Sequence, residues 1–368
     1  MTTTRPPDPV DWRLAERTAH RVSRDEPLSR SYLARSLVPD FAAATARAEE
    51  LVVAFTGLHP EGPPARSMVV GRNDWASANV RSFRAMLRPL TDKVAARAAE
   101  HRSAGLGRAV AGIELGVLTG YLSQRVLGQY DLLVPEEDDS ADDPISAPPA
   151  DPGAVYYVGP NILALEKRFA FRPADFRLWI ALHEVTHRVQ FTGVPWMRPY
   201  FLGLVDELVA AADPDPQRLT RVIGRAIEEL RSGRNPLDEG GLVALAATDE
   251  QRAALQRVTA LMSLLEGHGN VVMDRLGAEH VAGQERMSRV LRARRAQRGP
   301  GRLLLKMVGI ESKLRQYEVG ERFIGDVEER AGLAAIDAVW TSPDHLPTLA
   351  ELDDPGAWLA RVGVPAPA

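Results

Sequence analysis

From Trp12 onward, apolar residues recur mostly every three or four positions, the period of a helix that buries one face. The segment DWRLAERTAHRVS has this spacing, as does SRSYLARSLVPDFAAATARAEELVVAFTGL, which Pro39 is expected to interrupt. NDWASANVRSFRAMLRPLTDKVAARAAEHR follows, with Asn73 or Asp74 placed to cap its start and Pro89 marking a break or kink. In AGLGRAVAGIELGVLTGYLSQRVLGQY, Gly112, Gly116 and Gly120 fall four apart on one helical face, a spacing suited to close helix packing or a glycine-lined groove. Residues 1–134 therefore predict an N-terminal helical bundle.

The pattern breaks at 135–153, PEEDDSADDPISAPPADPG, an acidic, proline-rich stretch with almost no large apolar side chain. Such a segment cannot offset its ordering entropy by burial and reads as a solvated loop. AVYYVGPNI, 154–162, is the best strand candidate, with GPN closing it in a turn. Helical spacing resumes in PADFRLWIALHEVTHRVQFTG, where Pro173 suits the first turn and Gly193 the end. Further helices are expected at about 197–211, 215–232, 251–275, 279–297 and 302–329. Residues 154–345 thus form a second helical region and 346–368 a C-terminal tail.

Composition narrows the chemistry. A net charge of −4 over 368 residues argues against broad phosphate neutralisation, hence against nucleic-acid binding. There is no cysteine, so any metal must be held by His, Asp or Glu. The N-terminus shows no apolar signal-peptide core, which makes the cytoplasm the default location. Arg108, Glu114 and Arg125 interrupt the most apolar stretch, so no stable membrane insertion is expected. No repeat, G-x-G-x-x-G, Walker sequence or G-x-S-x-G elbow is present, and oligomeric state has no signature.

The chemistry concentrates in HEVTH. In a helix, residues four apart share a face, so His183 and His187 can direct ring nitrogens at one Zn²⁺. Glu184 stands about 100° around from His183, beside such an ion but poorly placed to join both histidines as a ligand. There it can take a proton from a water the ion activates and pass it to a leaving group. Two satisfied core histidines beside a surface glutamate is the plainer alternative.

A catalytic zinc needs a third protein ligand. A metzincin-like continuation would have glycine at position 190 and histidine at 193, where this chain has Gln190 and Gly193. LMSLLEGHGNVVMDRLG, 261–277, instead carries Glu266 in on an apolar helix, where a carboxylate is costly unless paired or metal-bound. Asn270, one turn on, could orient a ligating histidine. His268 lies about 200° around from Glu266, so the two cannot easily ligate one ion from a regular helix. His268, Asp206 and Glu207 remain rivals to Glu266.

HEVTHRVQF, LLEGHGNVVMD and KMVGIESKLRQYEVGERFI together resemble the actinobacterial zincin-like hydrolases of the DUF2342 group, one branch of which is labelled as associated with coenzyme F420 biosynthesis. The resemblance covers most of the chain after about residue 10. It implies a mainly α, zincin-like metallohydrolase with a minor β element, dependent on Zn²⁺ and often classed as a peptidase. On that likeness the HExxH falls on His183, Glu184 and His187, and the downstream ligand on Glu266.

A tetrahedral intermediate also needs a donor for its developing oxyanion. His268 and Tyr317 are carried forward as the catalytic candidates, with Tyr156 and Tyr157 as further donors. YYVGPN could lie beside an extended peptide by backbone pairing, or be a plain core strand. The function expected is a zinc-dependent hydrolase, most simply a metallopeptidase acting on a peptide or other small hydrolysable substrate. A degenerate zincin serving as a scaffold and a metal-free helical protein are the competing classes.

Overall fold

A computed structural model describes residues 8–24, 26–98, 104–130, 132, 153–210, 248–296 and 311–364. The acidic stretch (Gly153 apart), the helix expected at 215–232 and the start of that expected at 302–329 lie outside the described residues, as does the side chain of Tyr317. Among the described residues the protein is mainly helical, with one small sheet. Two compact units divide the chain. One comprises Met1–Phe55, Glu61–Arg188 and His280–Gly283, and the other Thr56–Pro60, Val189–Glu279 and Gln284–Ala368.

In the first unit, α1 (Trp12–Val22) starts where Asp11 accepts the Leu14 amide at 2.9 Å. It buries Trp12, Ala15 and Ala19. α2 (Leu37–Thr56) keeps Pro39 in its first turn, where no intrahelical N–H is needed, so this proline does not interrupt the helix. β1 (Arg66–Val70) precedes α3 (Arg72–Ala98), whose start is closed by Asp74 accepting the Gly71 amide at 3.0 Å. α3 runs on past Pro89, so that proline does not break the helix. In α4 (Ala104–Ser123) the glycine face packs onto α1. A Cβ at Gly112, Gly116 or Gly120 would stand 2.3–2.5 Å from the carbonyl oxygens of Asp11, Ala15 and Ala19. Close packing, one of the two roles predicted for that spacing, is what these glycines serve. Among the described residues, no helix is long and apolar enough to cross a membrane.

β2 (Gly128–Tyr130) and β3 (Ala154–Val158) complete a three-stranded sheet in the order β1-β3-β2. β3 pairs parallel to β1, with Met68 opposite Tyr156, and antiparallel to β2, with Gly128 opposite Tyr157. As the buried central strand, with its backbone occupied on both sides, β3 cannot pair with a bound peptide. GPN does not form the expected turn; Gly159 opens α5 (Gly159–Phe169), with Pro160 in its first turn. α6 (Pro173–Thr192) follows.

Two buried arginines hold α6. Arg177 makes two bonds to Glu166, at 2.8 and 3.0 Å, and reaches Ser36 and Asp40 on the entry to α2. Arg188 binds Glu49 of α2 and the Pro63 carbonyl, while the other Glu49 oxygen accepts the Ala65 amide. Planar guanidinium groups suit this task, because each satisfies several acceptors at fixed angles.

In the second unit, α7 (Met197–Ala210) precedes the long α8 (Asp249–His280), then α9 (Gln284–Ala296), α10 (Glu311–Ala331) and α11 (Pro355–Val362). α8 and α10 cross almost backbone to backbone: a Cβ at Gly267 would meet the Gly320 carbonyl carbon at 2.3 Å. The stretch expected as a tail, 346–368, contributes α11, whose Trp358 is fully buried against Phe323.

Candidate metal centre

HEVTH lies on a regular helix, as its chemistry requires. α6 is buried along most of its length: Trp179, Ile180, Leu182, Val185, Thr186 and Val189 are all inaccessible. His183 and His187 are half-buried, one turn apart, with rings at 85° to each other. Their Nε2 atoms face one another at 3.2 Å.

That separation tests whether zinc fits. Two nitrogens bound to zinc at about 2.0–2.1 Å with a tetrahedral angle stand about 3.3–3.4 Å apart. The histidine pair is already near that spacing. Donor atoms of His183, His187 and Glu266, one from each, all lie within 4.8 Å of one another. Two imidazoles and a carboxylate form a borderline-to-hard donor set that suits zinc and leaves a coordination position open. The HExxH metal-binding arrangement is therefore intact.

Of the rival third ligands, Asp206 and Glu207 are exposed, and Glu207 pairs with Arg257. His268 is buried and bonded to Gln190. Asn270 is also buried, one turn beyond Glu266, and its Oδ1 has no hydrogen-bond partner among the described residues.

Glu184 is buried against the backbone of β2. A Cβ at Gly128 would stand 2.5 Å from Glu184 Cγ and 2.8 Å from its Cδ and Oε1, so only glycine leaves this carboxylate its place. The nearby Tyr157 is wholly enclosed, bonded to Thr45 at 2.8 Å and stacked on Phe41. Burial pushes its phenol well above the ordinary range; the Thr45 bond opposes this, and the Glu184 charge adds to it. Tyr156 is buried in an apolar cluster with Ala19, Trp75 and Val158. Both tyrosines are core residues.

Two contributors had no local signal in the sequence, and a third had only a partial one. Gly128 matters only because a distant carboxylate packs on it. Arg188 and Gln190 alternate with apolar residues on α6 and look like ordinary polar positions until their partners are known. Gln190 did stand out as a departure from the metzincin continuation, which was a clue to its site though not to its role.

Residues 10–359 match the family model of a zincin-like metallopeptidase. The crystal structure of a candidate hydrolase with a novel fold from Chloroflexus aurantiacus is 30% identical, with a TM-score of 0.68, over 96% of this chain and 99% of that one. No curated protein matches the chain. With the match spanning nearly its whole length and the HExxH arrangement intact, this chain belongs to the zincin-like metallopeptidase family.

Proposed function

We propose that the protein is a zinc-dependent peptidase in which His183, His187 and Glu266 hold the metal and Glu184 is the general base. The observation that carries this is the convergence of those three donors beside a buried glutamate that is not among them. Zinc bound there would supply a Lewis acid and lower the pKa of water toward 7. Glu184 accepts the proton of the attacking water on a carboxylate oxygen and returns it to the departing amine. Packing against Gly128 limits the positions this carboxylate can adopt, which favours a short proton transfer. His268 and Tyr317 are the candidate donors to the oxyanion. Within the zincin-like family we place the chain with the actinobacterial DUF2342 group; the similarity to the candidate hydrolase from Chloroflexus aurantiacus supports hydrolysis.

Protein prepared in metal-free buffer and reloaded should take up about one zinc per chain by elemental analysis. His187→Ala should lose it and Glu184→Gln should keep it. Against a mixed peptide library read by mass spectrometry, wild type should cleave, and a chelator should stop it. Glu184→Gln should be slower by on the order of 10²–10⁴-fold. Full-rate cleavage by Glu184→Gln would remove Glu184 from the mechanism, and zinc retained by His187→Ala would remove the ligand assignment.

A further inference from the structure

Gln190 stands three residues beyond His187 on α6 and is completely buried. Its side-chain nitrogen lies 3.0 Å from the Leu265 carbonyl oxygen and 2.9 Å from Nδ1 of His268. A carbonyl oxygen only accepts, so the Leu265 contact settles which end of the amide is nitrogen. That nitrogen carries two hydrogens and is no acceptor, so its second hydrogen goes to His268 Nδ1. Nδ1 is then the unprotonated ring nitrogen, and a neutral His268 carries its proton on Nε2. The ring also packs edge-to-face with Trp340, at 4.9 Å between centroids.

The two atoms that Gln190 binds straddle Glu266 in the chain: one belongs to the residue before it, the other to the residue two after it. The same turn of α8 is fixed by the Gly267–Gly320 crossing, where a Cβ at Gly320 would fall 1.8 Å from the Ser263 carbonyl oxygen. Backbone contact thus holds the turn at α10, and Gln190 bonds two of its polar atoms from α6.

We propose that Gln190 is a positioning residue for the metal group, registering the Glu266-bearing turn of α8 against α6 and fixing His268 as the Nε2–H tautomer. This rests on the zinc-ligand reading above. Without its two N–H groups, His268 Nδ1 loses its Gln190 donor and the Leu265 carbonyl is left with its bond inside α8 alone, so the turn can relax. Partners that orient metal ligands in this way typically contribute 10–100-fold in metal affinity. His268 would then present Nε2–H as a donor, as an oxyanion-stabilising role requires.

The test combines zinc affinity with ring-nitrogen NMR. In histidine-labelled, metal-free wild type, with eight histidines to resolve, His268 should show a pyridine-like Nδ1 and a pyrrole-like Nε2. Gln190→Glu keeps the size and replaces both donors with acceptors, and should move the proton to Nδ1. A helix contact of purely structural value would not produce that inversion. Gln190→Met should weaken zinc by about 10–100-fold in a chelator competition, with the metal-free melting temperature compared in parallel. Unchanged zinc affinity in folded Gln190→Met overturns the positioning role, and an Nδ1–H wild type overturns the tautomer assignment. A wild type that binds no zinc at all would instead sink the ligand assignment itself, and it is told apart because the NMR measurement needs no metal.

Discussion

Two glycines of α4 should respond in opposite directions to the same substitution. In a helix interior, Gly→Ala gains about 1 kcal/mol of propensity when nothing else changes. At Gly116 the new Cβ would stand 2.3 Å from the Ala15 carbonyl oxygen, 2.6 Å from Thr18 Cβ and 3.1 Å from the Ala15 carbonyl carbon. Two of these atoms are α1 backbone, so no side-chain rotation relieves the clash. α1 must retreat by about 1 Å to restore van der Waals distance. That movement loosens the packing of Trp12, Ala15 and Ala19, all buried on the α1 face. Overpacking of this kind costs about 1–3 kcal/mol, enough to cancel the propensity gain and leave up to about 2 kcal/mol of destabilisation. At Gly107, on the same helix, a Cβ meets nothing within 4 Å, so the propensity gain should survive. For a domain of this size each kcal/mol moves the melting temperature by about 2–4 °C. Gly116→Ala should therefore melt several degrees below wild type and Gly107→Ala slightly above it, by circular dichroism on metal-free protein. A Gly116→Ala variant that melts at or above wild type would refute the close-approach argument.

Gly128→Ala should push the Glu184 carboxylate aside by about 1 Å, enough to cost on the order of 10²-fold in turnover. Because the atoms in the way are a side-chain end, zinc content and melting temperature should barely change. Equal turnover on a peptide the wild type cleaves would contradict this. Tyr157 has its phenol raised by burial, so above a pH of about 10 the unfolded chain gives up that proton while the folded chain keeps it. The unfolded state then binds fewer protons, and stability falls as pH rises, by up to about 1.4 kcal/mol per pH unit for this group. Urea midpoints measured from neutral to alkaline pH should decline less steeply in Tyr157→Phe, and parallel curves would show that Tyr157 does not contribute.

Much of the metal site was legible because its geometry is local. His183 and His187 meet through the repeat of one helix, and Glu184 is offset by that same repeat, so their relation needs no tertiary information. Glu266 was partly legible, since a carboxylate among leucines asks for a partner; what the fold adds is a donor atom of Glu266 within 4.8 Å of those of both histidines, while Asp206 and Glu207 are exposed and His268 is bonded to Gln190. Apolar spacing likewise marked α1, α7 and α8, because amphipathic periodicity is written along a single segment. Proline was harder to interpret: Pro39 and Pro160 sit in first turns, where the ring costs nothing, and periodicity alone does not show which turn a proline will occupy.

Long-range pairing decided the rest. β1 and β2 are five and three residues long and gain strand character from β3, which is distant from β1 in sequence and separated from β2 by more than twenty residues. The importance of Gly128 comes from the carboxylate resting on it, and that of Gln190 from two acceptors on another helix. Local order along the chain set which residue types could do the chemistry and placed the two histidines one turn apart. Which carboxylate comes within reach of that pair was left to tertiary structure, because donors far apart in the chain gain a common neighbourhood only when folding brings their helices together.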